Sequence, residues 1–161
     1  DIGSRFLIDQ YDKLPSANDI IDLACGNGVL GIMAKKAIGN CRVNFVDESY
    51  MAIDSARINY NNEFKDNSAV FHVDDCLTHF HDKKVDLIVC NPPFHQQHSI
   101  SDKTAFRMFL QSKRNLLNGG QLWVVGNRHM NYHKKLKQLF GNCNTVASNK
   151  KFTVLRAESI T

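Results

Sequence analysis

Residues 91–94 read Asn-Pro-Pro-Phe and follow directly on the apolar run Val85-Asp86-Leu87-Ile88-Val89-Cys90. A buried strand that stops at an asparagine and two prolines leaves a rigid amide and free carbonyls at its carboxyl end. The Asn91 side-chain oxygen and the Pro92 carbonyl can each accept an N–H, and Pro93 keeps the turn stiff. Phe94 can stack on a ring and fix its plane. Such a tetrad can hold a flat molecule by an amino group. Prolines also end strands with no chemistry attached, so the tetrad gains its meaning from a second motif upstream.

That motif is Asp22-Leu23-Ala24-Cys25-Gly26-Asn27-Gly28-Val29-Leu30-Gly31, in which Gly26, Gly28 and Gly31 spell G-x-G-x-x-G. Asp47 ends the next apolar run, 21 residues after Gly26. Glycines let a ligand approach the backbone, and an acid at that distance can take two ribose hydroxyls, so the spacing satisfies a dinucleotide fingerprint. Two details argue against a nicotinamide cofactor. Asp22, four residues before Gly26, sits badly with a pyrophosphate and well with an ammonium or sulfonium. Hydride transfer also has no use for Asn-Pro-Pro-Phe. A further carboxylate, Asp75, follows the third apolar run and can accept from an adenine amino group, with Asp74 as the alternative residue for that task.

These residues need elements to position them. Strands are expected at 19–25, 42–47, 69–74, 85–90 and 121–125, and helices at 29–38, 50–64, 102–117 and 132–140. The 102–117 helix would bury Phe106, Phe109, Leu110, Leu116 and Leu117 and end at Asn118-Gly119-Gly120. Residues 144–148 and 152–156 read as two strands around a turn at Asn149-Lys150. Alternation of this kind gives an α/β domain with a mostly parallel sheet between helix layers. The closing hairpin has no crossover helix, so one strand there must run antiparallel.

Bulk properties bound the rest. A chain of 161 residues with 43% hydrophobic content suits one domain, 1–161. It begins with Asp rather than Met, as expected of a C-terminal piece of a longer, two-domain protein. No apolar stretch approaches a membrane span. The five cysteines are odd in number and form no C-x-x-C pair, the usage of free thiols in a reducing cytoplasm. The formal charge of +4 permits nucleic-acid binding without requiring it. Basic clusters at Lys83-Lys84, Lys113-Arg114, Lys134-Lys135-Lys137 and Lys150-Lys151 read first as solvated faces. Cys76, His72, His79 and His81 fit no regular zinc spacing, so no metal is expected. His95 and His98 flank the loop that follows the tetrad and read as RNA or loop contacts before proton carriers, with a catalytic role left open.

Taken together, the glycine turn, an acid after each of strands two and three, and the Asn-Pro-Pro-Phe tetrad resemble class I S-adenosylmethionine-dependent methyltransferases acting on amino nitrogens. With Asp1-Ile2-Gly3-Ser4-Arg5 and residues 91–98 added, the chain is similar to ribosomal RNA guanine-N2 methyltransferases, the large-subunit group first. The resemblance implies a Rossmann-like, seven-stranded sheet of order 3-2-1-4-5-7-6 with strand seven antiparallel. It implies that Asp22, Gly26 and Gly28 line the methionine part of S-adenosylmethionine, that Asp47 holds the ribose, and that Asp75 with Cys76 meets the adenine. Gly3 and Ser4 would close near the methyl group, and Ala24, Asn27, Glu48 and Asn91 complete the cofactor-binding set. Ala24 departs from the superfamily, which often has Gly there. Asn91, Pro92, Pro93 and Phe94 would be the catalytic residues, and ribosomal RNA the partner of a monomeric, cytoplasmic enzyme whose N-terminal domain aids RNA binding.

An exocyclic amine is a poor nucleophile because its lone pair is delocalised into the ring. Alignment by Asn91 and Pro92 would supply most of what catalysis needs, with no dedicated base. Other readings stay open at this point: a small-subunit guanine-N2, adenine-N6 or protein glutamine-N5 methyltransferase of the same fold, or a silent RNA-binding module.

Overall fold

Seven strands form one sheet of order β3-β2-β1-β4-β5-β7-β6. The computed structural model describes residues 1–94 and 98–161. The strands are β1 (Asp19–Leu23), β2 (Arg42–Asp47), β3 (Ala69–Val73), β4 (Val85–Cys90), β5 (Leu116–Asn127), β6 (Asn144–Ser148) and β7 (Phe152–Glu158). The helices are α1 (Ile2–Ile8), α2 (Val29–Ile38), α3 (Tyr50–Glu63), α4 (His98–Asn115) and α5 (Tyr132–Phe140). Strands β1 to β5 pair in parallel, and β7 runs antiparallel to both β5 and β6. The order and the sense of each strand are those the family resemblance implies.

Two apolar layers sandwich the sheet. On one face Leu7, Leu30, Ile53 and Tyr60 from α1, α2 and α3 meet Ile20, Phe45, Leu87 and Trp123. On the other, Met108, Phe109 and Leu136 from α4 and α5 meet Ile21, Ile88 and Leu122. Strands β1 and β4 are almost wholly buried, as unbroken apolar runs in a doubly covered parallel sheet must be. Phe45 stacks on Phe71 at 5.2 Å and meets the Tyr60 ring edge-on at 5.7 Å, which fixes α3 over β2 and β3. No helix among the described residues is long and apolar enough to cross a membrane.

The structure departs from expectation at three places. Helix α1 was not anticipated; Asp1 caps it, its Oδ1 accepting from the N–H groups of Gly3 (2.7 Å) and Ser4 (3.2 Å). Helix α4 spans His98–Asn115 rather than 102–117, and β5 spans Leu116–Asn127 rather than 121–125, running through Asn118-Gly119-Gly120. The cause is pairing across the sheet: Gly119 N donates to Ser159 O, and Ser159 N to Gly120 O. Leu117, expected in the core, is consequently exposed.

The strand order reverses between β1 and β4, which are neighbours. In open α/β sheets the crevice beyond the carboxyl ends of such strands is the general ligand site. The glycine turn leaves β1 and the Asn-Pro-Pro-Phe tetrad leaves β4, so both motifs reach one crevice.

Candidate active site

A cavity of about 290 Å³ opens in that crevice. Ala24, Asp47, Glu48, Asp75 and Cys76 wall it at the ends of β1, β2 and β3. Asn91 and Pro93 close it from β4, and Thr104, Arg107 and Met108 reach in from α4.

The turn after β1 is tied to β2 by charge. Gly26 N donates to Asp47 Oδ2 at 2.9 Å, and Ser49 N to Asp47 Oδ1 at 2.9 Å. Each carboxylate oxygen keeps a further lone pair for a ligand hydroxyl. A side chain at Gly26 would meet no atom within 4 Å, but its φ of +53° favours glycine. Gly31 serves packing instead. A Cβ there would lie 2.7 Å from the Phe45 ring and 2.9 Å from Asp22 Cβ, so only glycine lets α2 sit this close to β1 and β2.

Asp22 is fully buried and is not among the residues lining the cavity. Its Oδ2 accepts from Gly31 N at 2.8 Å, whereas Oδ1 has no partner among the described residues. Burial pushes its carboxyl well above the usual range, against the Gly31 hydrogen bond, which lowers it. Asn27 and Gly28 also stand back from the cavity. Asn27 Oδ1 accepts from Val29 N at the start of α2, and Gly28 packs on Ala56 and Phe45.

Among the described residues the non-glycine positions with positive φ are Ala24 (+56°) and Cys76 (+54°), and both line the cavity. A left-handed conformation costs an L-residue roughly 1–2 kcal/mol, and strain of this kind collects where a site over-determines the backbone. It also explains physically why a glycine suits position 24. Burial raises the thiols of Cys25, Cys76 and Cys90, so none is a ready thiolate.

The two carboxylates after β3 are told apart by their partners. Asp74 is buried and spent on its own loop: Oδ2 accepts from His79 N at 2.8 Å, and Oδ1 lies 3.0 Å from His79 Nδ1. Asp75 is gripped by Arg107, Nη1 to Oδ2 at 2.9 Å and Nη2 to Oδ1 at 2.5 Å. Those hydrogen bonds hold the Asp75 carboxyl below its ordinary value.

On the β4 side, Asn91 is half-buried and held from α1. Its Nδ2 donates to Ser4 Oγ at 3.1 Å and lies 3.4 Å from Asp1 Oδ2. With the amide nitrogen fixed on α1, the oxygen is left as the acceptor. Gly3 lies alongside: a Cβ there would crowd the Phe152 ring and Asp1 Oδ1, both at 3.2 Å, and would touch Asn91 Nδ2 at an ordinary 3.6 Å. Gly3 and Ser4 are therefore placed against Asn91 rather than on the cavity wall. Pro92 is buried, and Phe94 is 61% exposed beside the opening. His95, Gln96, Gln97 and the side chain of His98 lie outside the described residues.

Sequence reasoning did not single out Thr104, Arg107 or Met108. Arg107 meets an acid 32 residues away, across a crossover no local pattern reveals. One signal was available. Between Asp102 and Glu158 the chain has no acidic residue at all, so a carboxylate partner for Arg107 is most readily supplied from the part of the chain before α4.

The Methyltransferase small domain family model matches residues 1–156. Ribosomal RNA large subunit methyltransferase G of Pseudoalteromonas translucida is 48% identical over 159 residues, covering 98% of this chain and 42% of that protein. The protein of the same name from Shewanella loihica is 51% identical over 166 residues, covering 98% and 41%. The chain thus spans about two fifths of the length of these relatives. Among solved structures, a T. Thermophilus 16S rRNA N2 methyltransferase in complex with AdoMet and guanosine superposes with a TM-score of 0.84 at 22% identity, over 99% of this chain and 43% of that one. At that identity the likeness shows the fold.

Proposed function

The chain belongs to the methyltransferase small domain family, and from that premise we propose that it transfers a methyl group from S-adenosylmethionine to the exocyclic N2 of a guanine in large-subunit ribosomal RNA. The observation that carries the reading is the Asn91 amide. Its nitrogen is anchored on α1, which leaves its oxygen to accept from an amino group beside the cavity. The names of the two relatives favour large-subunit RNA, and the guanine acceptor is suggested by the guanosine bound to the 16S rRNA N2 methyltransferase of the same fold.

The residues present fit the cofactor. Among the described residues the wall carries the carboxylates Asp47, Glu48 and Asp75 against one cation, Arg107, which is spent on Asp75. That donor set favours a ligand bearing cationic groups. Asp47 would take the ribose hydroxyls, the open backbone at Gly26 would admit the methionine portion, and Asp75 beside Cys76 would meet the adenine. Bound there, S-adenosylmethionine supplies an activated methyl group on a sulfonium.

The chain's own work is placement. Asn91 Oδ1 and the Pro92 carbonyl would each accept one N–H of the guanine amine. That draws the nitrogen toward tetrahedral geometry and turns its lone pair toward the donor. Phe94 would stack on the base and hold its plane. Positioning of this quality lowers barriers by about 7–11 kcal/mol in favourable cases. The proton released as the amine is alkylated passes to water, and the raised thiols beside the cavity take no part.

Transfer of a tritiated methyl group to stripped ribosomal RNA, followed by nucleoside digestion, tests the reading. Label in N2-methylguanosine supports it. Label in N6-methyladenosine, or in protein glutamine and not in RNA, contradicts it.

A further inference from the structure

Positive charge is gathered in one part of this chain. Residues 103–157 hold 11 Lys and Arg and no Asp or Glu, whereas residues 1–102 hold 9 Lys and Arg against 15 Asp and Glu. The division follows the sheet. The acidic part carries β1, β2, β3 and β4, and the acid-free part carries most of α4, then β5, α5, β6 and all of β7 but its last residue, Glu158. A surplus of this size sets up a field of one sign over one side of the molecule.

Within that side one feature is built rather than merely charged. Beyond Asn127, the end of β5, Arg128 N donates to Lys151 O at 2.9 Å, and its Nη1 donates to Asn149 O at 3.2 Å. The β6–β7 turn is shaped by Asn149, whose Oδ1 accepts from Lys151 N at 2.9 Å and Phe152 N at 2.7 Å. Arg128, Lys150 and Lys151 are all exposed, on a turn pinned to the end of β5. Beside them a cleft of about 180 Å³ is lined by Arg128, His133, Thr145, Ser148 and Thr153. Exposed guanidinium and ammonium groups of this kind donate to phosphate oxygens, while the Ser148 and Thr153 hydroxyls of the cleft donate to Phe152 O and Ala147 O, both at 3.5 Å. The rim also adjoins the acceptor site. Phe152, next after Lys151, packs on Gly3, which in turn abuts Asn91.

We propose that Arg128, Lys150, Lys151 and the hydroxyl-lined cleft beside them hold the RNA backbone next to the target nucleotide. The proposal rests on the RNA reading above and names the surface that reading requires. A base presented to Asn91 must leave its stack, at a cost of about a few kcal/mol. Phosphates flanking it must then be held close by, on the β5–β7 side, because the β1–β3 side is acidic and repels them.

The test compares the parent chain with two variants that each remove three positive charges. The first is Arg128→Gln, Lys150→Ala, Lys151→Ala. The second is Lys13→Ala, Lys36→Ala, Lys65→Ala on the opposite part of the molecule. Binding to a labelled ribosomal RNA fragment is followed by anisotropy from about 50 to 200 mM salt. The rim variant is expected to lose about tenfold or more in affinity at low salt and to show a log–log salt slope smaller by about 2, as for the loss of two or three phosphate contacts. The second variant is expected to bind like the parent, and cofactor affinity is expected to be unchanged in both. Equal losses in both variants, no loss in the rim variant, or no RNA binding by the parent at about 50 mM salt overturns the proposal. So does loss of polyglutamate binding with RNA binding intact, which would give the rim to a protein partner. The two readings fail separately. Normal RNA binding by the rim variant beside continued formation of N2-methylguanosine removes only the rim, whereas rim-dependent binding with another methylated product removes only the acceptor.

Discussion

The two parts of this chain are built on opposite electrostatic plans. The β1–β3 side meets the crevice with Asp47, Glu48 and Asp75, and the side from β5 onward carries basic residues with no acid between Asp102 and Glu158. A net formal charge of +4 conceals this contrast. The difference teaches that one small fold can carry an acidic crevice wall and an acid-free basic side, with Asn91 on the cavity between them. The Arg107–Asp75 pair is where the two sides meet across the cavity.

Substitutions on either side of the cavity break the comparison in different ways. The largest effect is expected at Asn91 itself. Asn91→Ala should lower the rate of methyl transfer about a hundredfold to a thousandfold, the range for losing one pre-organised polar group in an active site, while calorimetry shows cofactor affinity nearly unchanged. Equal loss of both would move Asn91 wholly to the cofactor side.

Asp47→Ala, on the acidic side, should weaken cofactor binding by about 10–100-fold, as expected for about 1.5–3 kcal/mol of charge-assisted hydrogen bonding. RNA affinity, read by anisotropy, should stay as it is. A cofactor affinity equal to the parent's would take the ribose away from Asp47.

Ser4→Ala sharpens the role of α1. Ser4 touches Asn91, so its loss should act through orientation: about 3–10-fold off kcat, the equivalent of one neutral hydrogen bond, with cofactor affinity and RNA affinity held. A rise in cofactor dissociation constant with kcat intact would instead put Ser4 on the cofactor. Ala24→Gly is the mildest change. It relieves a left-handed alanine, and after the entropy glycine adds to the unfolded chain it should stabilise by about 0.5 kcal/mol, a rise of about 1–2 °C in Tm by calorimetry. A fall in Tm would show that the Ala24 methyl packs better than its strain costs.

Much of the fold was legible in the chain because the signals are local. β1 and β4 are continuous apolar runs, and the glycine turn and the two prolines punctuate them at their carboxyl ends. What stayed hidden was fixed by tertiary partners. Helix α1 has a glycine and a serine in its first turn, poor helix formers, and it is held by Asp1 and by Ser4 against Asn91. The extension of β5 through Gly119-Gly120 depends on Ser159, about forty residues on. The candidate site was legible as a set of acids and glycines but not as a geometry. Nothing in the sequence separates Asp74, which caps its own loop, from Asp75, which pairs with Arg107. Nor does it show that Asp22 turns toward Gly31. The acid-free stretch from 103 to 157, by contrast, was in plain view and needed only counting.

Chemical-shift mapping on the isotope-labelled chain tests the division most directly, with S-adenosylmethionine added first and a guanine-containing ribosomal RNA oligonucleotide second. The cofactor should shift the backbone amides of Gly26, Asp47, Asp75 and Cys76. The RNA should shift those of Arg128, Lys150 and Lys151, with the Asn91 side-chain amide responding to both. RNA shifts clustered on the β1–β3 side, or cofactor shifts on the β6–β7 turn, would contradict the account.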